Sequence, residues 1–268
     1  MGFIFAFILS LTRHFRLILR LVKREVVGRY RGSFLGLFWS FATPILMLLI
    51  YTFVFSYVFK TRWGVDNSNP YEFALQLFAG LIVFNLFSEC LSRAPTLIIQ
   101  HVNYVKKVVF PLEILPWVVM GSALFHTLAN LLVLMGFMLL LHHSFSPTLF
   151  WLPVILLPII LLTMGLAWLF ASLGVFIRDI HQMINMLLTA LMFMSPIFYP
   201  LSALPDSISR YLLLNPLTLI VHQLRAVLLE GKAPDFIALG CYTGVALLVL
   251  WTGWLWFDKT RKGFADVL

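Results

Sequence analysis

The chain has 268 residues, 61% of them hydrophobic and only 11% charged, with a mean hydropathy of +0.96. Soluble domains carry charge on roughly a quarter of their residues, so this composition excludes one and places the chain in a bilayer. The net charge of +8 does not point to nucleic acid, which would need basic residues interleaved with exposed aromatics on a soluble face; here most basic residues flank apolar runs. Cys90 and Cys241 lie in separate apolar runs without partner spacing, which argues for buried thiols and against a disulfide framework or zinc site.

Residues 3–11 are apolar, yet no cationic stretch precedes them and a strongly basic one follows, the reverse of a signal peptide. They are expected to stay in the mature protein. Residues 13–27, RHFRLILRLVKREVV, set Arg13, Arg16, Arg20, Lys23 and Arg24 on one helical face and Phe15, Ile18, Leu19, Val22 and Val26 on another. That pattern predicts an amphipathic helix along the membrane surface, serving as lipid anchor, partner-docking element or both. Gly28 and Gly32 are expected to let the chain turn into the first span.

Crossing a hydrocarbon layer of roughly 30 Å takes about 20 apolar residues. Six stretches qualify or come close: 35–59, 73–92, 114–141, 149–176, 183–200 and 236–257. Glu89, in the second, is the one carboxylate within them. Intramembrane charge marks function by default, but pairing with Arg93 one turn on is favoured over a proton relay. His126, in the third, reads as a hydrogen-bonded packing residue. The fifth stretch is short and contains Ser195-Pro196, so it is expected to bend or to lie against other helices.

Orientation follows from lysine and arginine in the connections. The N-terminus, the 93–113 and 177–182 connections and the C-terminus hold fourteen of the 19; Lys60, Arg62, Arg210, Arg225 and Lys232 face the other way. Both termini are therefore expected in the cytoplasm, together with the segment NYVKKVVFPLEILP at 103–116. A short helix there would project Lys106 and Lys107 and turn Val105, Val108 and Val109 inward. Pro111 should break it, Phe110 should be extended, and Pro116 fits the first turn of the third span. A short rigid arm results, read either as a positive-inside anchor or as a coupling arm. Arg178-Asp179 on the same side reads as a local ion pair, worth about 0–1 kcal/mol when exposed, or as a second contact.

On the other side, residues 201–235 are too polar and proline-broken for a seventh span. SALPDSISRYLLL predicts one short helix. NPLTLIVHQLRAVLLEG predicts another, with Asn215 as N-cap, Pro216 at the first position and Gly231 past the end. Leu217, Ile220, Val221, Leu224 and Leu228 share a face; His222, Gln223, Arg225 and Glu230 lie elsewhere. Apolar helices too short to cross fit a re-entrant hairpin in the outer half of the bilayer. Interface belts explain tryptophans such as Trp63, Trp151, Trp251, Trp254 and Trp256. Trp39, Phe41, Tyr51, Phe193, Phe198 and Tyr199 fall in the first and fifth stretches, where core packing and a sugar-stacking channel are both open readings.

The segments LVKREVVGRYRGSFLGLFWSFATPILMLLIYTFVF (21–55), NYVKKVVFPLEILP, FIRDIHQMINMLLTALMFMSPIFYPLSALP (176–205) and NPLTLIVHQLRAVLLEG (215–231) together resemble the membrane subunit of type-2 ABC exporters, in the branch that exports O-antigen, capsule and teichoic acid. The resemblance covers nearly the whole length. It implies a single all-α integral membrane domain over 1–268: an interface helix within 1–34, six transmembrane helices, and a re-entrant outer-gate hairpin at 201–235 between spans five and six. It implies a homodimer in the bacterial inner membrane, paired with two cytoplasmic ATPase subunits that hold ATP and magnesium. The implied substrate is a glycan on a polyprenyl pyrophosphate lipid. Coupling would fall on Asn103, Lys106, Lys107, Phe110, Pro111, Glu113, Arg178, Asp179, Arg20 and Arg24. The gate would include Pro205, Tyr211, Asn215, Pro216 and Arg225.

The chain itself has no phosphate-binding loop: Gly231-Lys232 is followed by alanine, and position 226 is not glycine. It is read as a non-enzyme with no cofactor of its own, dependent on a partner for ATP hydrolysis. A type-2 permease for a drug or lipid, and an integral-membrane lipid-carrier enzyme, are the competing readings. The scattered Asp66, Glu72, Asp206 and Asp235 make no convincing catalytic cluster for the latter.

Overall fold

The computed structural model describes residues 3–58, 71–106, 110–141, 146–201, 205–212 and 214–268. Lys107, Val108 and Val109 of the expected arm lie outside the described residues, as do Lys60, Arg62, Trp63 and Asp66. Among the described residues every regular element is helical.

Helix α1, Phe3–Arg29, contains the expected 13–27 helix and extends beyond it at both ends. Its five cations from Arg13 to Arg24 are exposed as expected, but its apolar face divides. Ile18 and Leu21 are buried against Ile114 and Val118, whereas Phe15 and Leu19 remain 51% exposed. A Cβ on Gly121 would sit 2.5 Å from Val22 Cγ2, so a glycine there lets α1 press onto the third span. The turn after α1 uses Gly32 (φ 84°) and Gly36 (φ 51°), conformations costly for residues with a Cβ. Gly28 does not turn the chain, because it still belongs to α1.

Among the described residues, five stretches are long and apolar enough to cross a membrane: Gly36–Phe55, Glu72–Leu97, Leu112–Leu140, Pro147–Phe176 and Phe236–Val267. Their α-helical cores are α2 (Trp39–Tyr51), α3 (Glu72–Leu97), α5 (Leu115–Leu140), α6 (Leu152–Phe176) and α10 (Phe236–Thr260). Short α4, Val102–Lys106, lies between α3 and α5. Pro116 and Pro153 occupy first turns, where the missing N–H breaks no bond. Past Tyr51 the first span continues in a wider π-type winding, Thr52–Val58.

Helix α3 is the central post. It is apolar around its circumference, as a helix enclosed by protein must be, and nearly all of Phe73–Phe87 is buried. Helices α5, α6, α7 (Ile180–Phe193) and α9 (Pro216–Leu228) surround it. Among the described residues, helices α6 and α10 make the most extensive contact. A Cβ on Gly165 would lie 2.6 Å from the Leu250 backbone, and one on Gly253 would collide with the Gly165 carbonyl. Where no water drives helices together, small residues that let backbones approach supply the contact.

The fifth stretch is short and breaks at Ser195-Pro196 as expected, although its helix starts before 183 and stops well short of 200. Helix α7 runs only from Ile180 to Phe193, and its 14 residues reach about 21 Å at 1.5 Å per residue. Ser195-Pro196 ends it, since the residue before a proline is pushed out of helical geometry, and the chain proceeds in turns to Pro200. Helices α8 (Asp206–Leu212), α9 (Pro216–Leu228) and α11 (Phe264–Val267) complete the fold.

Candidate transport cavity and its junctions

A cavity of about 410 Å³ opens between α2, α3 and α5. Helix α2 contributes Trp39, Ser40, Thr43, Pro44, Met47 and Tyr51; α3 contributes Phe78, Leu81, Asn85, Ser88 and Glu89; α5 contributes His126 and Asn130. Each set recurs at three- or four-residue intervals, the spacing that aligns side chains on one helical face. Arg29 and Tyr30, at the end of α1, close one end. The lining joins aromatic rings to amides and hydroxyls, the mixture that holds an amphipathic, hydroxyl-rich ligand.

Four residues from three segments meet at the closed end. Arg29 Nη2 donates to Glu89 Oε1 at 2.5 Å. His126 Nδ1 lies 3.0 Å from Glu89 Oε2, and its Nε2 lies 3.3 Å from the Tyr30 hydroxyl. Nδ1 is also 3.2 Å from Arg29 Nη1, but a ring nitrogen cannot both donate to a carboxylate and accept from a guanidinium. The charged acceptor wins, which assigns the proton to Nδ1 and leaves Nε2 to accept from Tyr30. Burial raises the Tyr30 phenol above its ordinary pKa, Arg29 offsets part of this and Glu89 adds to it, so the hydroxyl keeps the proton it donates.

Glu89 is thus paired, most closely with Arg29 and His126. Arg93, the partner expected one turn away, stands at 3.9 Å and pairs more closely with Glu25 of α1. The sequence reading passed over Arg29, Tyr30, Asn85, Ser88 and Asn130. The repeated polar positions at 85, 88 and 89, matched by 126 and 130, are the signal that could have found them.

The six aromatics do not form one surface. Trp39 and Tyr51 line the cavity. Phe41 lies on another face of α2, in an apolar groove against Leu132, Val133 and Phe137. Phe193 and Phe198 stack at 5.7 Å, and the Tyr199 hydroxyl donates to the Phe193 carbonyl at 3.0 Å, forming a separate cluster at the broken end of α7. Trp254 is not an interface residue either: it is 8% exposed and packs edge-on to Trp168.

The residues expected to couple gather at one end of the bundle. Asn103 and Lys106 are exposed on α4, as are Arg20 on α1 and Arg178 and Asp179 in the turn after α6. Arg24 Nη2 donates to the Tyr104 hydroxyl at 3.4 Å, and the Tyr104 ring stacks on Phe110 at 4.3 Å. Pro111 is extended (ψ 90°). Glu113 differs: its side chain turns inward and is only 17% exposed.

At the opposite end α9 forms as expected. Asn215 Oδ1 accepts from the Leu217 N–H at 2.9 Å, Pro216 follows, and Gly231 takes φ 64° beyond the C-terminus. The apolar face is buried, but so are Gln223 at 5% and Arg225 at 6% exposure, because α3 and α6 enclose α9. Arg225 donates to three backbone carbonyls: Nε to Gln76 at 2.8 Å, Nη1 to Pro196 at 2.6 Å and Nη2 to Ile197 at 3.0 Å. A Cβ on Gly80 would meet Nη2 at 2.9 Å, so that glycine makes the room. Asn215 Nδ2 donates to Ser195 Oγ at 2.9 Å. Pro205 and Tyr211, on the α8 side, are exposed.

Long apolar helices around a central post, with a helix along one end, define a multi-pass helical membrane protein. Its sequence matches the profile of the ABC-2 type transporter family over residues 16–229. The chain belongs to that family. It is 31% identical to the O-antigen export system permease protein RfbA of Myxococcus xanthus over 257 residues, 93% of this chain and 94% of that one. A Klebsiella pneumoniae RfbA is 26% identical over 258 residues, 95% of each chain. The polysialic acid transport protein KpsM of Escherichia coli is 28% identical over 249 residues, 90% of this chain and 92% of that protein.

Proposed function

We propose that this chain is the permease subunit of an ATP-driven polysaccharide exporter. The observation that carries the reading is the cavity between α2, α3 and α5. Its amides and hydroxyls can exchange hydrogen bonds with sugar hydroxyls, and Trp39 and Tyr51 offer flat faces to the C–H side of a sugar ring. The similarity to an O-antigen export permease over 93% of the chain and to a polysialic acid transport protein over 90% agrees with it.

In this reading the substrate is a glycan on a polyprenyl pyrophosphate lipid. It enters from the cytoplasmic leaflet of a bacterial inner membrane and leaves on the other side. Two ATPase subunits bind ATP and magnesium and meet the end carrying α4, the 177–179 turn and α1, so both termini are cytoplasmic. Two copies of the chain form the pathway. Helix α7 supports the pairing: it is too short to cross alone, and irregular backbone at membrane depth is tolerated only against protein or a watery cavity. The exposed α8 side of the 201–235 hairpin is its moving outer gate.

The test is deletion of this chain in its native cell. Loss of surface polysaccharide, with lipid-linked glycan accumulating inside and an ATPase copurifying with the tagged chain, is the expected result. Normal surface glycan in the deletion strain overturns the reading.

A further inference from the structure

Beneath the arm, the chain builds a junction that the coupling surface alone does not require. Glu113, in the turn leading into α5, accepts from Arg261 Nη1 through Oε2 at 3.3 Å. Its backbone carbonyl accepts the indole N–H of Trp168 at 3.1 Å. The same residue is therefore held twice, by the C-terminal tail and by α6. Trp168 is fully buried and stands edge-on to Trp117 of α5 at 5.8 Å and to Trp254 of α10 at 4.8 Å. Three tryptophans from three spans thus fill the space under the hinge.

The tail continues from there to the second contact surface. Arg261 is oriented by Asp258 Oδ1 at 3.0 Å, and the Thr260 and Ser172 hydroxyls meet at 2.6 Å between α10 and α6. Phe264 of α11 is fully buried. It lies 5.6 Å from Phe257 and 6.0 Å from Phe176, the last residue of α6 before Ile177-Arg178-Asp179. The arm and the 177–179 turn leave different helices, yet both are fastened to residues 258–264.

We propose that residues 258–264 are a strut that makes the arm hinge and the 177–179 turn move as one unit, with Glu113 and Arg261 as its positioning residues. A push on α4 would otherwise bend the chain at Phe110-Pro111, where Pro111 is extended and neither residue is helical. Holding Glu113 by both side chain and carbonyl removes that freedom, so displacement passes into α5, α6 and α10. Coupling of this kind travels through rigid, packed elements. The strut rests on the reading that the arm meets an ATPase, and it explains why Glu113 faces the tail.

The test compares wild type, R261E, E113R and the swap E113R/R261E, each tagged and purified from the native cell with whatever ATPase it captures. Captured ATPase, ATP hydrolysis in proteoliposomes and surface polysaccharide per cell are measured. Each single variant is expected to keep its ATPase and its hydrolysis while export falls about five-fold, the lower end of ordinary coupling. The swap restores the pair with reversed sign and, carrying D258N as well so that Asp258 does not repel the new carboxylate, is expected to recover most of the export. Normal export in R261E, loss of captured ATPase in proportion to export, or a swap no better than the singles overturns the strut. Absence of any ATPase with the wild-type chain overturns the exporter reading and the strut with it.

Discussion

An arginine inside a membrane bundle needs acceptors for its five N–H groups, and Arg225 finds carbonyls that the fold itself has left open. Pro196 breaks α7, the carbonyls of Pro196 and Ile197 lose helical partners, and the guanidinium supplies them. Each carbonyl left unpaired in a buried site costs about 1–3 kcal/mol. R225M is therefore expected to lower the melting temperature of the detergent-solubilised protein markedly. R225K, which keeps the charge but loses the planar fork, should fall between the two; an R225M protein as stable as wild type would falsify this role. At the other end, Arg29 is 39% and Glu89 17% exposed, so solvent screens their attraction. A double-mutant cycle with R29A and E89A should return a coupling of only about 1 kcal/mol in thermal stability. A value near zero would mean that the pair does not hold α1 to the cavity.

Among the elements, α1 and α9 show how partial a one-helix reading is. The period of α1 identifies an amphipathic helix, but not that Ile18 and Leu21 face protein while Phe15 and Leu19 do not. That choice was made by Ile114 and Val118, about a hundred residues away. For α9 the caps are local chemistry and were legible: Asn215, Pro216 and Gly231 mark its ends because each acts on neighbouring backbone groups. The burial of Arg225 was not, since a charged side chain reads as exposed until its carbonyl partners are in place. Under the proposed function, the same burial leaves the exposed α8 side as the candidate gate. A disulfide tying α8 to a neighbouring span should block export while ATPase capture persists, as followed by surface glycan before and after reduction; export through a fully formed crosslink would remove α8 from gating. On the arm, K106E with N103E is expected to reduce captured ATPase several-fold, consistent with rim charges that act on association, without altering yield. Unchanged capture would exclude α4 from the contact.

For the molecule as a whole, α6 approaches two neighbours backbone to backbone: α3, where Gly174 faces the carbonyl of Pro95, and α10, where Gly253 faces the carbonyl of Gly165. G253L has no space to occupy unless the helices part. The expected loss is about 1–3 kcal/mol or more, read as a lower melting temperature, and an unchanged one would show that the two backbones are not pressed together. Hydropathy, charge asymmetry and capping residues by themselves determined a helical membrane chain, its long apolar segments, the surface helix and the N-cap of α9, because those signals arise within a few residues. They did not determine that Arg225 is buried, that Glu89 lies closer to Arg29 than to Arg93, or that Glu113 faces Arg261. Those outcomes depend on which helices become neighbours. In a bundle with little water to drive association, shape at small residues and the pairing of buried polar groups decide that, and both exist only once the tertiary structure has formed.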